Sequence, residues 1–205
     1  MQSKQPLFIT GIGTGIGKTI ISAILTEKLK ADYWKPVQSG DLHDSDTLKV
    51  KSLISNTTSV FHPETYQLTQ PFSPHKSAAL DGIKIELQKF ALPVTNNQLL
   101  IEGAGGLMVP LNNELLMIHL IRHLNAKVIL VSQNYLGSIN HTLLSIQALK
   151  QHEIAIEGLV FNGDKDESSE DYILRYSGVK LLGHLPMLAT INKATIKMSS
   201  NYITL

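Results

Sequence analysis

The sequence has no cysteine among its 205 residues and no long apolar run. The absence of cysteine excludes disulfides, thiolate zinc sites, iron–sulfur clusters and a thiol nucleophile, and it suits a reducing compartment. The apolar run nearest the amino terminus, Leu7-Phe8-Ile9, is too short for the core of a signal peptide. No stretch approaches the length of a membrane span. We therefore expect a soluble cytoplasmic protein.

The sequence also lacks a strong excess of either charge. Its formal net charge is +1, and the lysines and arginines are scattered. This pattern predicts no nucleic-acid partner and no membrane partner. Apolar residues make up 43% and charged residues 17%, which is ordinary for a globular protein. The length favours one domain over residues 1–205.

Short apolar runs alternate with segments of helical periodicity along the chain. Strands are predicted over 7–10, 33–37, 99–101, 127–132, 157–161 and 179–185, and helices over 18–30, 46–54, 83–92, 115–124, 138–152 and 168–176. Ser138 is the expected cap of its helix. The stretch 55–81 is expected to be irregular, with one short strand near Tyr66. The alternation predicts an α/β fold like that of P-loop NTPases, with a mostly parallel sheet and helices on both faces.

The sharpest motif is the glycine-rich stretch from Gly11 to Thr19, which follows a strand and opens a helix. Glycines let successive backbone N–H groups point inward at phosphate, and the helix N-terminus adds its positive dipole end. Lys18 would reach the outer phosphates and the Thr19 hydroxyl would ligate magnesium. Ile12 stands where the strict P-loop pattern has glycine, so the loop is a variant. A turn that binds nothing is the alternative, and Gly-Lys-Thr at the helix start argues against it.

Two carboxylates are candidates for a second metal ligand. Glu102 closes the apolar run Leu99-Leu100-Ile101, and the glycine-rich stretch 103–106 keeps the backbone small beside a nucleotide. A solvated glutamate at a strand end is the alternative for Glu102. Asp46 lies in an acidic loop before a helix and could be a further magnesium ligand. A helix cap formed by Asp44 or Asp46 is nearly as good an interpretation, and the residues alone leave it open.

Lys35 follows the second predicted strand. Carboxyl ends of strands face the binding crevice in such sheets, so a lysine there could stabilise charge on a transferring phosphoryl group. From the residues alone, an ordinary exposed lysine is the preferred interpretation.

Seven motifs in order give the chain a resemblance to the dethiobiotin synthetase family over nearly its whole length. They are the variant loop 11–19, Lys35-Pro36-Val37 with Ser39-Gly40, Ser45-Asp46, Ser73-Pro74-His75, Glu102-Gly103-Ala104-Gly105-Gly106, Gly137-Ser138-Ile139-Asn140-His141, and Asn162 after Val160-Phe161. The resemblance implies an ATP- and Mg²⁺-dependent ligase of biotin biosynthesis. Its substrates would be 7,8-diaminopelargonic acid and carbon dioxide or bicarbonate, joined through a carbamate and a carbamic–phosphoric anhydride.

The resemblance also implies a role for each matched position. Lys35 and Lys18 would be catalytic, and Thr19, Asp46 and Glu102 would hold magnesium. The nucleotide would contact Gly15, Ile16, Gly17, Lys18, Thr19, Asp46, Glu102, Gly103, Ala104, Gly105, Asn162, Gly163, Pro186, Met187 and Leu188. The substrate would contact Thr14, Ser39, Gly137, Ser138, Ile139 and Asn140. The stretch 137–140 would serve a partner subunit, which implies a homodimer with its active site at the interface.

The chain departs from the family where Gly13 and Gly15 replace acidic loop residues. A loop carboxylate is then missing from the nucleotide contacts, so the sequence does not fix a preference for ATP over other triphosphates.

Three rival interpretations share the fold. A partitioning-type P-loop ATPase would carry an extra lysine at Gly13. In a non-catalytic nucleotide-binding module, Lys35 and Glu102 would have no function. A cobyrinate-type amidotransferase needs a glutaminase cysteine, and the sequence has none.

Overall fold

The computed structural model describes residues 4–205, and its centre is a sheet of seven strands. The strands of the protein, in chain order, are β1 (Leu7–Gly11), β2 (Asp32–Trp34), β3 (Val37–Ser39), β4 (Phe61–His62), β5 (Tyr66–Leu68), β6 (Leu99–Gly106), β7 (Lys127–Ser132), β8 (Ile156–Asn162) and β9 (Leu181–Leu185). The sheet order is β4-β2-β6-β1-β7-β8-β9, and every neighbouring pair is parallel. Strands β3 and β5 form a separate parallel pair. The predicted parallel sheet is confirmed.

Helices connect the strands and cover both faces of the sheet. They are α1 (Lys18–Leu29), α2 (Asp46–Leu53), α3 (Pro74–Leu80), α4 (Met117–His123), α5 (Ser138–Gln151), α6 (Glu167–Ser177) and α7 (Lys193–Ser199). Alternate side chains of each strand enter different cores. Phe8 packs on the side of α4 and α5, while Ile9 packs on the side of α1 and α7. This arrangement explains why the central strands read as nearly continuous apolar runs.

Proline explains one difference from the predicted strands. The segment 33–37 was expected to form one strand, but it divides at Lys35-Pro36 into β2 and β3. Proline has no N–H to donate to a ladder, so a strand with neighbours on both sides ends before it. The chain then leaves the main sheet, and Val37 pairs with Tyr66 instead. Lys35 consequently lies at the carboxyl end of β2.

The helix predicted over 83–92 is wrong. That segment has only a 3-10 turn, Leu87–Lys89, although Ile85 and Phe90 are buried in the core. Their spacing of five residues does not place them on one side of a helix, so the apolar pattern reflects an irregular segment anchored at two points. The stretch 55–81 contains the expected strand at Tyr66 together with β4 and α3, which were not predicted.

The expected cap at Ser138 is also wrong. Gly137 occupies the N-cap of α5 with φ 101°, a conformation that favours glycine, and Ser138 is the first helical residue. The Ser138 hydroxyl instead accepts a hydrogen bond from the backbone N–H of Tyr135 at 3.3 Å. Within residues 4–205, no helix is both long enough and apolar enough to cross a membrane.

Candidate functional site

The phosphate loop joins the end of β1 to the start of α1. Gly17 is the N-cap of α1 with φ 93°, and a side chain there would collide with the amide of Asn162. Glycine is therefore favoured at this position by its conformation, and a larger residue would also have to displace the Asn162 side chain. The Lys18 side chain folds back over the loop, and its Nζ donates to the carbonyl of Gly13 at 2.8 Å. The loop thus leads directly into a helix N-terminus, and the Lys18 ammonium group is held against it.

Thr19, Asp46 and Glu102 come together beside this loop from three different elements. The Thr19 hydroxyl lies 3.1 Å from Oδ1 of Asp46 and 2.9 Å from Oε1 of Glu102. Asp46 begins α2, and Glu102 lies on β6, next to β1. One hydroxyl and two carboxylates form a set of hard oxygen donors, which suits Mg²⁺. These three residues would hold the ion.

The structure settles the alternative for Asp46. Ser45 is the N-cap of α2, and its hydroxyl accepts from the backbone N–H of Leu48 at 3.3 Å. Asp46 is therefore free to point at Thr19. The backbone N–H of Asp46 donates to Oε1 of Gln38 at 3.3 Å, and Nε2 of Gln38 donates to the carbonyl of Gly40 at 2.9 Å. Gln38 links the loop after β3 to the first turn of α2.

Lys35 is buried, so the exposed lysine preferred from the residues alone is wrong. Only 4% of the residue is accessible to solvent. Its Nζ lies 2.5 Å from Oδ2 of Asp46 and 3.4 Å from Oε1 of Glu102. Burial alone would lower the pKa of Lys35, but the Glu102 and Asp46 carboxylates outweigh it and raise that pKa above its ordinary value. Lys35 is therefore a charged ammonium at neutral pH.

The other ionisable groups of the site respond to the same surroundings. Burial lowers the pKa of Lys18 to about 8, with Lys35 adding to the effect while Glu102 and Asp46 oppose it. Burial raises the pKa of Asp46, but Lys35 and the Thr19 hydroxyl outweigh it, so the net shift is downward. Both lysines lie within the field of the same two carboxylates. The site is consequently a compact cluster of alternating charges.

A cavity of about 670 Å³ opens beside these groups. Its lining includes Thr14 from the phosphate loop and Ser39 from β3, both predicted to contact substrate. The Ser39 hydroxyl is buried and has no hydrogen-bond partner among the described residues. Pro71 and Phe72 add an apolar wall that was not predicted. The cavity therefore combines apolar surface, an available hydroxyl and the charged cluster, a lining typical of a small-molecule site.

The residues expected around the base lie at the carboxyl ends of β8 and β9. Nδ2 of Asn162 donates to the carbonyl of Ile16 at 3.0 Å, which places Asn162 against the phosphate loop. The backbone N–H of Gly163 donates to the carbonyl of Leu185 at 2.8 Å. The segment 186–188 follows directly, with Met187 exposed. Asn162 thus lies against the phosphate loop, and Gly163 is hydrogen-bonded to the residue that precedes the segment 186–188.

The stretch 137–140 does not join this cluster within one chain. Gly137, Ile139 and Asn140 line a separate surface groove with Leu136 and Tyr172, and none of them lines the 670 Å³ cavity. Within one chain, these residues are therefore not brought to the cavity that Thr14 and Ser39 line.

Sequence reasoning missed two buried side chains at the site. Tyr33 donates from its hydroxyl to Oε2 of Glu102 at 2.9 Å, and Gln38 positions the backbone of Asp46. Burial and the Glu102 carboxylate raise the pKa of the Tyr33 phenol well above its ordinary value. Tyr33 lies on β2, two residues before Lys35, which was the available signal.

Comparison with known proteins decides the family. A family model described as an AAA domain matches residues 5–195. The ATP-dependent dethiobiotin synthetase BioD of Christiangramia forsetii is 53% identical over 87% of this chain and 86% of its own length. The chain belongs to the dethiobiotin synthetase family. The dethiobiotin synthetase of Cytophaga hutchinsonii is 50% identical over 92% of each chain.

More distant solved structures share the fold. The cell division ATPase MinD of Pyrococcus furiosus superposes with a TM-score of 0.56 at 12% identity, over 96% of this chain and 97% of its own. A ParA family ATPase of Chlorobium tepidum gives 0.55 at 13% identity, over 96% of this chain and 89% of its own. These likenesses confirm the P-loop α/β architecture of this dethiobiotin synthetase family member. At such low identity they say nothing about its activity.

Proposed function

We propose that the protein is an ATP- and Mg²⁺-dependent dethiobiotin synthetase. It joins carbon dioxide to 7,8-diaminopelargonic acid and closes the ureido ring, giving dethiobiotin, ADP and phosphate. The observation that carries the proposal is the buried ammonium of Lys35, held between Asp46 and Glu102 at the mouth of a cavity beside the phosphate loop. Relatives named for this activity are about half identical to the chain over most of its length.

The reaction needs no protein nucleophile, in agreement with a sequence that has no cysteine. One amine of the substrate takes up carbon dioxide and loses a proton, forming a carbamate. A carbamate oxygen attacks the terminal phosphorus of ATP, ADP leaves, and a carbamic–phosphoric anhydride forms. The second amine attacks the carbamate carbon, phosphate leaves, and the ring closes. Catalysis is then positioning together with neutralisation of charge on the phosphoryl group.

We assign the charge neutralisation to Lys35 and Lys18. Both are buried, and Lys35 remains charged because of Asp46 and Glu102. A desolvated ammonium stabilises developing phosphoryl charge more strongly than an exposed one. Bound Mg²⁺ supplies further positive charge on the phosphate oxygens. Thr19, Asp46 and Glu102 would hold that ion.

The nucleotide lies on the loop 15–19 in this proposal, with its base beside Asn162 and the segment 186–188. Ser39 and Thr14 contact the diamine or its carbamate, because both line the cavity and the Ser39 hydroxyl lacks a partner among the described residues. The alkyl chain runs along the apolar wall of Pro71 and Phe72. The protein acts in the cytoplasm as one P-loop α/β domain over 1–205, without nucleic acid or membrane.

We further propose a homodimer in which the stretch 137–140 of one subunit receives the carboxylate of the substrate held by the other. The N-terminus of α5, fourteen residues long, suits a carboxylate. An α5–α6 apolar surface, defined as Leu136, Leu144, Tyr172 and Tyr176, is exposed beside it. Exposed apolar side chains gathered on one face are typical of an interface.

A direct assay separates this function from that of a partitioning-type ATPase. The purified protein is incubated with ATP, Mg²⁺, bicarbonate and 7,8-diaminopelargonate, and dethiobiotin and ADP are measured. We expect dethiobiotin and ADP in equal amounts, with ADP formation dependent on the diamine. Equal ATP turnover with and without the diamine, and no dethiobiotin, would favour the partitioning-type ATPase.

A further inference from the structure

Tyr33 is a buried polar side chain at the edge of the metal site. No part of the residue is accessible to solvent, and its ring packs against Phe61 with centroids 5.7 Å apart. Its hydroxyl donates to Oε2 of Glu102 at 2.9 Å. Glu102 is also buried, at 1% exposure. A charge-assisted hydrogen bond in such surroundings is strong and fixes the orientation of the carboxylate.

The two oxygens of Glu102 have different partners. Oε1 accepts from the Thr19 hydroxyl at 2.9 Å and lies 3.4 Å from Nζ of Lys35, whereas Oε2 has Tyr33. The register of β2 and β6 brings Tyr33 close to Glu102. Tyr33 on β2 is paired with Leu100 on β6, and Glu102 is two residues further along β6. Tyr33, Leu100 and Glu102 therefore point to the same face of the sheet.

We propose that Tyr33 is a positioning residue for the metal site, because its phenol anchors Oε2 of Glu102 and thereby directs Oε1, beside Thr19, to the cation. Glu102 is then a monodentate ligand held in one orientation. Groups that hydrogen-bond to metal ligands commonly affect metal affinity as much as tenfold to a hundredfold. The inference rests on the proposed function only in taking Glu102 as a ligand of the divalent ion.

The test uses Tyr33→Phe with Tyr66→Phe as a matched control. Tyr66 is also buried, and its hydroxyl accepts from the backbone N–H of Glu86 at 2.9 Å, outside the cavity lining. Mn²⁺ binding is measured by electron paramagnetic resonance with a non-hydrolysable ATP analogue. We expect Tyr33→Phe to weaken Mn²⁺ binding about tenfold or more and Tyr66→Phe to leave it unchanged.

The Mg²⁺ dependence of turnover gives a second measurement. It would not change if Tyr33 only stabilised the fold. In Tyr33→Phe, the Mg²⁺ concentration for half-maximal dethiobiotin formation should rise by the same factor as the Mn²⁺ dissociation constant. The kcat at saturating Mg²⁺ should stay within about threefold of the wild type, because Lys35 and Lys18 remain. Wild-type Mn²⁺ affinity in Tyr33→Phe, or a loss no greater than that in Tyr66→Phe, would overturn the proposal.

A measurement on the unmodified protein covers the case in which Tyr33→Phe does not fold. Infrared difference spectra of protein labelled with ¹³C-glutamate are recorded on adding Mg²⁺ and nucleotide. In the shifted glutamate signal, the asymmetric and symmetric carboxylate stretching bands should be widely separated, as in a monodentate carboxylate. The narrower separation of a bidentate carboxylate would contradict the proposal. If the wild type forms no dethiobiotin, the proposed function fails, while Mn²⁺ affinity still decides the role of Tyr33.

Discussion

Lys35 illustrates how the partners of a residue determine its role. A lysine beside a strand end is ordinarily exposed, and sequence reasoning alone favours that reading. Here the ammonium is buried and lies within ion-pair distance of both Asp46 and Glu102. A buried charge is tolerated when it is paired and hydrogen-bonded, so the three groups depend on one another. Removing the ammonium should therefore affect catalysis and stability together.

We expect Lys35→Ala to lower kcat at least about a hundredfold, because it removes a desolvated charge beside the phosphoryl group. Nucleotide binding should remain measurable, since the loop and Lys18 are intact. Isothermal titration with ADP and a dethiobiotin assay check the two expectations. Lys51→Ala, on an exposed position of α2, is the control and should keep wild-type rates. Normal turnover in Lys35→Ala would mean that the role given to Lys35 is wrong.

Asp32 is a buried carboxylate with a structural task. It accepts hydrogen bonds from the backbone N–H of Val60 at 2.8 Å, from the Thr95 hydroxyl at 2.6 Å and from Nδ2 of Asn97 at 2.9 Å. Burial opposes its charge, but the hydrogen bonds from Asn97, Thr95 and Val60 outweigh burial and lower its pKa. Asp32 therefore ties the start of β2 to two neighbouring segments as an anion.

We expect Asp32→Asn to lower the free energy of unfolding by about 1–3 kcal/mol at pH 7, because partners of a buried charged group are left poorly matched. The carboxyl has a lower pKa folded than unfolded, so its contribution is present above the unfolded value of about 4 and is lost as pH falls through the folded value. Urea unfolding of both proteins at pH 7 and near pH 3 measures this. If the difference in unfolding free energy between the wild type and Asp32→Asn is the same at both pH values, the role assigned to Asp32 is contradicted.

At the scale of elements, periodicity predicts the central strands and helices α1, α2, α4, α5 and α6 within a few residues. The central strands and α1 are apolar segments that are buried almost throughout, whereas α2 buries only Val50 and was predicted from its weaker pattern. Periodicity fails over 83–92, where Ile85 and Phe90 are buried without helical geometry, and at α7, which the pattern did not reveal. Tyr33 was missed for a related reason, since the sequence around a buried phenol gives no sign of a polar partner 69 residues away.

The site itself was largely predictable, because its residues stand in short motifs at strand ends. Thr19, Asp46 and Glu102 were predicted as neighbours and lie within hydrogen-bond distance of one another through Thr19. The alternative of an Asp46 cap could not be excluded without knowing that Ser45 performs that task. The depth at which Lys35 is buried could not be predicted either, since it depends on packing from distant parts of the chain.

Gly17 gives the phosphate loop a testable requirement. A left-handed residue other than glycine costs roughly 1–2 kcal/mol, and a Cβ at Gly17 would also collide with the Asn162 amide. We expect Gly17→Ala to weaken nucleotide binding more than about tenfold, which corresponds to 1.4 kcal/mol. Gly82→Ala is the control, because Gly82 has φ 66° but a Cβ there meets nothing within 4 Å. It should lower stability alone. Equal nucleotide affinity in both variants would contradict the requirement.

At the scale of the whole molecule, the predicted substrate residues fall on two separate surfaces. Thr14 and Ser39 line the cavity, whereas Gly137 and Asn140 line another groove. One chain therefore cannot offer the expected contacts to both ends of a single small substrate. Pairing two chains through the α5–α6 apolar surface would bring in the missing residues, and it would cover apolar side chains that otherwise face water.

Leu136 is the most exposed member of this surface, with 104% relative accessibility. If the proposed homodimer forms through this surface, we expect Leu136→Asp to give a monomer in sedimentation velocity where the wild type gives a dimer, because a charge would have to be buried in the interface. The KM for the diamine should rise with dissociation, while the ADP affinity of the loop should not change. Leu80→Asp, at an exposed leucine on α3, is the control and should leave both properties unchanged. A wild-type protein that sediments as a monomer at assay concentrations and still turns over normally would exclude the shared site. A monomeric Leu136→Asp with an unchanged KM would show instead that the carboxylate is bound within one chain.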